Sequence, residues 1–326
     1  VFHLYKIPAA GGEPEQITSS SDWSCSGPVF SDNGESLFCR YRAENGFVYN
    51  LTGIGQFDWA GNGISSELKL ITSGFDRSVT GMDISPDGET IYLTAADAGR
   101  SRIYSIPASG GEARALNEES RGVYSSVKVA GEHLVARWES SAVPAEIVRI
   151  STPDGSHASL SRFNTEKAAG LDMPEFLEFW FESSKGRKIH NWLALPAGFD
   201  KNKQYPLVLQ MHGGPFSSSM DSGHVRWSSH LMASPGYVVL MTDYTGSVGY
   251  GEAFSRNIHM DPLKTPGEEL LEAAAAAIER YPFIDAERQA ATGASYGGHL
   301  VNWLQATTTH FKALVGHAGL MDLEGQ

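Results

Sequence analysis

Gln289-Ala290-Ala291-Thr292-Gly293-Ala294-Ser295-Tyr296-Gly297-Gly298-His299-Leu300 decides how this chain is read. Residues 289–292 predict a short strand, and 296–306 predict a helix. Between them stands a serine flanked by glycines, in the pattern Gly-x-Ser-x-Gly. That pattern alone is weak, because glycine-rich turns whose serine merely caps a helix are common. The strand–turn–helix setting gives it weight. Glycines at 293 and 297 keep a sharp turn free of Cβ clashes, so the Ser295 hydroxyl projects from the end of the sheet. The helix N-terminus behind it favours developing negative charge. Ser295 is therefore the candidate nucleophile.

Upstream, strands and helices alternate, which implies a parallel sheet with helices on its faces. Strands are expected at 176–181, 188–195, 206–211, 237–242 and 311–315. The clearest helix begins near Thr265, read as N-cap, with Pro266 first and Glu268 closing a capping box. Leu270, Leu271, Ala274, Ile278 and Tyr281 form its apolar face, and Pro282 ends it. The strand ending at Met211 runs into His212-Gly213-Gly214-Pro215. An acyl-transfer site needs donors for a tetrahedral oxyanion, usually two backbone N–H groups. Tyr296, which follows the serine, is expected to supply one and Gly214 the other; Pro215 has no N–H. His212 reads as structural.

The first half differs. Leu4-Tyr5-Lys6-Ile7-Pro8 before Gly11-Gly12-Glu13 returns as Ile103-Tyr104-Ser105-Ile106-Pro107 before Gly110-Gly111-Glu112. A weaker copy is Ile147-Val148-Arg149-Ile150 before Asp154-Gly155. Phe30-Ser31-Asp32-Asn33-Gly34-Glu35 returns as Ile84-Ser85-Pro86-Asp87-Gly88-Glu89. Asn-Gly and Asp-Gly supply the positive φ of tight turns. A spacing of about 40–50 residues fits one four-stranded propeller blade. Residues 1–170 are thus expected to hold the last blades of a β-propeller, with a β-sandwich as the alternative. Residues 171–326 are expected to hold the N-terminal part of an α/β-hydrolase catalytic domain.

Bulk properties narrow the partners. The 326 residues carry a net charge of −13, which disfavours nucleic acid and anionic membrane surfaces. No apolar run reaches the roughly 18 residues of a membrane helix. The two cysteines, Cys25 and Cys39, form no metal-binding spacing; they could pair, but are read as buried free thiols. No cofactor and no metal are expected. Asn50-Leu51-Thr52 fits a glycosylation sequon, a pattern frequent by chance. A homo-oligomer is left open.

Four segments together resemble the prolyl oligopeptidase family of serine peptidases: His212-Gly213-Gly214-Pro215, Asp243-Tyr244-Thr245-Gly246-Ser247-Val248-Gly249-Tyr250-Gly251, Tyr281-Pro282-Phe283-Ile284-Asp285 and Gly293-Ala294-Ser295-Tyr296-Gly297-Gly298. The resemblance covers the whole chain, more loosely over the first half. It implies a propeller followed by an α/β-hydrolase domain and short peptides as substrates. His212, where some branches have tyrosine, points to the acylaminoacyl-peptidase and dipeptidyl-peptidase V branches. Thr245, where many relatives have arginine, favours the latter and release of N-terminal dipeptides. Positional matching puts Leu320 and Leu323 at the wall of the pocket for the residue before the cut; ordinary core is the competing reading.

In this fold the triad carboxylate and histidine follow the serine. His317 and Asp322 come in the wrong order, so the catalytic Asp and His are expected outside this chain, which reads as an internal fragment that alone would be inactive. Three further functions compete: an acylaminoacyl-peptidase or oligopeptidase, a carboxylesterase, and a non-catalytic propeller that binds partners.

Overall fold

The computed structural model describes residues 1–117, 121–224 and 226–320. Its first half is built from short antiparallel strands. Strand β1 (Tyr5–Lys6) pairs with β2 (Glu15–Gln16). A first unit follows, with β3 (Trp23–Phe30), β4 (Ser36–Ala43) and β5 (Thr52–Ala60) in order; β5 pairs with β6 (Gly63–Ile64) at its end and β7 (Lys69–Leu70) along its middle. A second unit is β8 (Val79–Ile84), β9 (Thr90–Asp97), β10 (Arg100–Pro107) and β11 (Arg114–Ala115). A third is β12 (Val123–Ala130), β13 (His133–Glu139), β14 (Glu146–Ser151) and β15 (His157–Ser159). One parallel bridge, Ser101↔Val123, ties the second unit to the third.

The sequence repeat maps onto these units. The two Ser-x-Asn/Asp-Gly-Glu segments both join the first strand of a unit to the second. Ser31 Oγ donates to Asn33 Oδ1 at 2.7 Å and Glu35 N–H to the same oxygen at 3.0 Å. Ser85 Oγ and Glu89 N–H approach Asp87 Oδ1 at 2.5 and 3.0 Å. The other repeat falls on β10 and β14, the third strands of their units, and on β1, which precedes the first unit. Successive units pack face on face. Phe38, Ile54 and Ile71 of the first meet Val79, Ile91 and Leu93 of the second, and Ile103 of the second joins Tyr124, Leu134 and Val148 of the third.

The cysteines depart from the free-thiol expectation. Cys25 on β3 and Cys39 on β4 form a disulfide, with Cα atoms 5.7 Å apart. Antiparallel pairing sets Cys25 opposite Tyr41 and Cys39 opposite Gly55, so the two sulfurs meet diagonally in a core with Leu4, Leu37 and Phe57. A strand register is what brings them together, and two isolated cysteines do not announce it.

After the short helix α1 (Thr165–Ala168) comes a six-stranded sheet. Its elements are β16 (Leu177–Glu182), β17 (Lys188–Ala194), β18 (Tyr205–Met211), α2 (Ser229–Ala233), β19 (Val238–Asp243), α3 (Glu252–Arg256), α4 (Lys264–Arg280), β20 (Ile284–Ala294), α5 (Tyr296–Thr307) and β21 (Ala313–His317). The strand order is β16-β17-β19-β18-β20-β21. The first two strands are antiparallel to their neighbours and the rest are parallel. Leu207, Leu209 and Leu240 pack on Leu270, Ala274, Leu300 and Leu304 of α4 and α5; on the other face, Trp192, Val208 and Val239 meet Ala233 of α2. The helix predicted from Thr265 begins at Lys264, and Thr265 is not its cap. Asp261 takes that role, accepting from the Lys264 and Thr265 N–H groups at 3.1 and 3.2 Å and from the Thr265 hydroxyl. Glu268 turns outward to Lys185 and Lys264. A carboxylate offers two acceptor oxygens where a hydroxyl offers one, so Asp261 captures the free N–H groups first.

The N-terminal units touch the sheet through the β9–β10 turn. Ala98 N–H donates to Gly249 O at 3.1 Å, and Arg100 forms a bidentate pair with Glu178 at 3.0 and 2.6 Å. Gly99 has φ +71, and a Cβ there would sit 2.5 Å from Trp192 Nε1 and 2.6 Å from His190 Cε1. Only glycine allows this approach.

Candidate active site

Ser295 stands between β20 and α5 with φ 55 and ψ −121, a backbone region that costs a non-glycine residue roughly 1–3 kcal/mol. Two glycines make room for it. A Cβ on Gly293 would lie 2.5 Å from the carbonyl of Gly297, and one on Gly297 would strike the Met211 and His212 carbonyl oxygens at the end of β18. The serine is exposed. Although it occupies the N-cap position, its hydroxyl makes no capping hydrogen bond. The capping reading therefore loses its main support, since a capping serine bonds an N–H of the first turn.

The His212–Pro215 turn lies against this serine. A Cβ on Gly213 would be 3.4 Å from Ser295 Cβ and 3.9 Å from its Oγ. Gly214 has φ +124, and the Gly214–Pro215 peptide is cis. Tyr296 is buried, its ring 5.9 Å from that of Tyr244 and its hydroxyl bonded to Pro262 O. A cleft of about 260 Å³ opens beside the turn, lined by His212, Gly213, Gly293, Ala294, Trp227 and His317 among others.

His212 is occupied. Its Nδ1 lies 2.8 Å from Gly213 O and its Nε2 2.9 Å from Ser247 Oγ. The ring stacks on Tyr244 with centroids 4.3 Å apart. Burial pushes its pKa below the ordinary histidine value, against the pull of Asp243. In a neutral ring with Nδ1–H donating to Gly213 O, Nε2 and Tyr244 O, the latter 2.7 Å from Ser247 Oγ, share the one Ser247 hydroxyl proton. The bond to Gly213 O fixes the peptide plane whose other edge is the Gly214 N–H. His317 ends β21 and packs edge-on to Trp227. Leu320 is half-buried, and its carbonyl accepts from Asn302 Nδ2 at 3.1 Å; Leu323 and Asp322 lie outside the described residues. Thr245 bonds Glu269 through its N–H and hydroxyl at 2.7 and 2.8 Å and receives Arg187 at 3.2 Å.

Sequence reasoning missed a polar cluster below the turn. Asp243, fully buried, accepts from Ser219 N–H at 2.7 Å and from the Tyr250 hydroxyl at 2.5 Å, and lies 3.5 Å from His190. Asp243 and Tyr250 both sit in the 243–251 segment singled out above, which was the one available signal. His190 and Glu178 come from strands whose pattern reads only as burial. No group of three or more potential metal-ligating His, Cys, Asp or Glu side chains occurs among the described residues.

The chain thus sets antiparallel units before a helix-flanked sheet, with a strained, exposed serine at a strand-to-helix turn. The chain belongs to the prolyl oligopeptidase family, whose sequence profile matches residues 223–326. It is 31% identical over 331 residues to dipeptidyl-peptidase 5 of Aspergillus fumigatus, covering 96% of this chain and 43% of that protein. It is also 31% identical over 317 residues to dipeptidyl-peptidase 5 of Trichophyton equinum, covering 94% of this chain and 42% of that protein. Among solved structures it resembles the Pyrococcus horikoshii acylaminoacyl peptidase, with a TM-score of 0.77 and 25% identity over 95% of this chain and 46% of that one. The chain spans less than half the length of these relatives.

Proposed function

We propose that this chain carries the nucleophile and oxyanion elements of a serine peptidase that releases N-terminal dipeptides from short peptides. The observation that carries the reading is Ser295: an exposed hydroxyl, held on a strained turn and not used for capping. In this reading Ser295 attacks the scissile carbonyl and forms an acyl-enzyme. The N–H groups of Tyr296 and Gly214 receive the oxyanion, and the turn beside Ser295 supports that role for Gly214. A catalytic Asp and His act from outside this chain, as the family resemblance implies. Residues 1–170 are the last blades of a β-propeller, supported by the repeated antiparallel units packed face on face. Residues 171–326 are the first part of an α/β-hydrolase domain. The dipeptidyl activity rests on the named relatives; acylaminoacyl cleavage is the second reading, favoured by the similar acylaminoacyl peptidase structure.

The test uses the complete gene product. Ser295→Ala should abolish turnover and fluorophosphonate labelling, a loss of about six orders of magnitude; activity within tenfold of wild type overturns the assignment. A panel of dipeptide chromogenic amides, N-acetylated amino-acid amides and a ten-residue peptide then sorts the substrate class. Preference for acetylated substrates selects the second reading, and internal cleavage of the long peptide makes the enzyme an oligopeptidase.

A further inference from the structure

The segment that follows the glycine turn, residues 215–222, is fastened on both sides. Toward the sheet, Ser219 N–H donates to Asp243 Oδ1 at 2.7 Å and Ser219 O accepts from Trp192 Nε1 at 3.2 Å. Ser217 O accepts from Val248 N–H at 2.9 Å. Toward the N-terminal units Phe216 lies against Tyr49, ring centroids 6.3 Å apart, and Asp221 makes the hydrogen bonds. Asp221 is fully buried. Its N–H donates to Gly99 O at 2.7 Å. One carboxylate oxygen accepts from Gly122 N–H and the other from Ser141 N–H, both at 3.0 Å. Gly99 lies in the β9–β10 turn of the second unit; Gly122 precedes β12 and Ser141 follows β13 of the third. One residue thus bonds two adjacent units, the second through its N–H and the third through its carboxylate.

A buried carboxylate is costly unless hydrogen-bonded. Asp221 meets that cost with backbone donors that the N-terminal units supply only when docked. Seven residues back along the strap stands Gly214, and Gly213 rests on Ser295. We propose that Asp221 is a positioning residue for the Ser295 site: its bonds to Gly122 and Ser141 make the seat of the Gly213–Gly214 turn depend on docking of the N-terminal units. This inference rests on the function proposed above. A misplacement of about 1 Å at such a turn costs roughly a hundredfold in rate, so a strap released at Asp221 lowers the chemical step more than substrate binding.

The experiment compares Asp221→Asn, which keeps size and one acceptor oxygen, with Asp221→Ala in the complete gene product, beside Ser295→Ala. Turnover of a dipeptide chromogenic amide is measured together with the second-order rate of fluorophosphonate labelling. The expected result is graded: kcat and labelling fall about tenfold for Asn and about a hundredfold for Ala, with KM within threefold of wild type. Folded variants with kcat within twofold of wild type overturn the proposal, as does a loss confined to KM. If Asp221→Ala does not fold, Asp221→Asn decides alone. Ser295→Ala separates the two claims: activity surviving there removes the catalytic reading itself, whereas an inactive Ser295→Ala beside fully active Asp221 variants removes only the positioning role.

Discussion

His190 Nε2 lies 3.0 Å from Glu178 Oε1 inside the contact between the N-terminal units and the sheet. The other ring nitrogen, Nδ1, is 2.8 Å from the Tyr250 hydroxyl, which donates to Asp243. Both nitrogens therefore face acceptors, and only the imidazolium donates to both. Burial alone would lower the His190 pKa, but Asp243 and Glu178 outweigh it and the net shift is upward. Burial likewise raises the Glu178 carboxyl, and the bonds from His190 and Arg100 bring it well below its usual range. A raised native pKa adds stability that is complete below the unfolded value of 6.5 and is lost as pH rises through the native one. The stability gap between wild type and His190→Gln should therefore be widest near about pH 5.5 and narrow toward about pH 9. Thermal unfolding across that range checks it; a gap that widens with pH contradicts the imidazolium assignment.

Gly297→Ala should destabilise the protein by about 1–3 kcal/mol, the usual cost of overpacking. Its Cβ would meet the Met211 and His212 carbonyls, which are backbone and cannot swing aside. Activity should fall further than stability, because the same shift moves Ser295 and Gly213 apart. Thermal unfolding and turnover on one preparation compare the two.

His212→Phe should keep the stack on Tyr244 and lose the bond to Gly213 O. With the Gly213–Gly214 peptide unpinned, kcat should fall by up to about a hundredfold. The pH–rate profile should keep its shape, because a buried neutral ring contributes no titration near pH 7. A missing limb in the profile would mean that His212 is itself the base.

Leu300→Ala should cost about 2–5 kcal/mol. Leu300 is fully buried on α5 against the sheet, and the neighbouring strands leave little freedom to fill the void. A loss below about 1 kcal/mol in denaturant unfolding would show a looser core than this one.

The parts of the fold that were legible in the sequence were those written in local chemistry. Gly293, Ser295 and Gly297 mark a turn once a strand pattern precedes them and a helix pattern follows, and the helix expected over 296–306 ends one residue later, at Thr307. The repeated Ser-x-Asn/Asp-Gly-Glu segments marked where strands reverse. Long-range pairings were not legible. Cys25 and Cys39 are joined by strand register, and Asp261 outcompetes Thr265 because the loop folds back on the helix. The 243–251 segment was conspicuous, but its Asp243 takes on meaning only when β17 brings His190 beside it. Asp221 gave no signal: its partners are backbone N–H groups 80 and 99 residues away.

The paired turns at Asn33 and Asp87 hold a chemical consequence. Each turn closes on one side-chain oxygen, Oδ1, which an amide and a carboxylate offer alike. Asn33 precedes Gly34, the neighbour that most readily permits spontaneous deamidation. Conversion of Asn33 to aspartate would recreate the bonding scheme already present at Asp87. The one bond lost would be Asn33 Nδ2 to Glu35 Oε2, between exposed groups at 3.0 Å. Hydrolysis of the intermediate succinimide to aspartate would change the charge of this turn and keep its shape, whereas hydrolysis to isoaspartate would lengthen the backbone and open it.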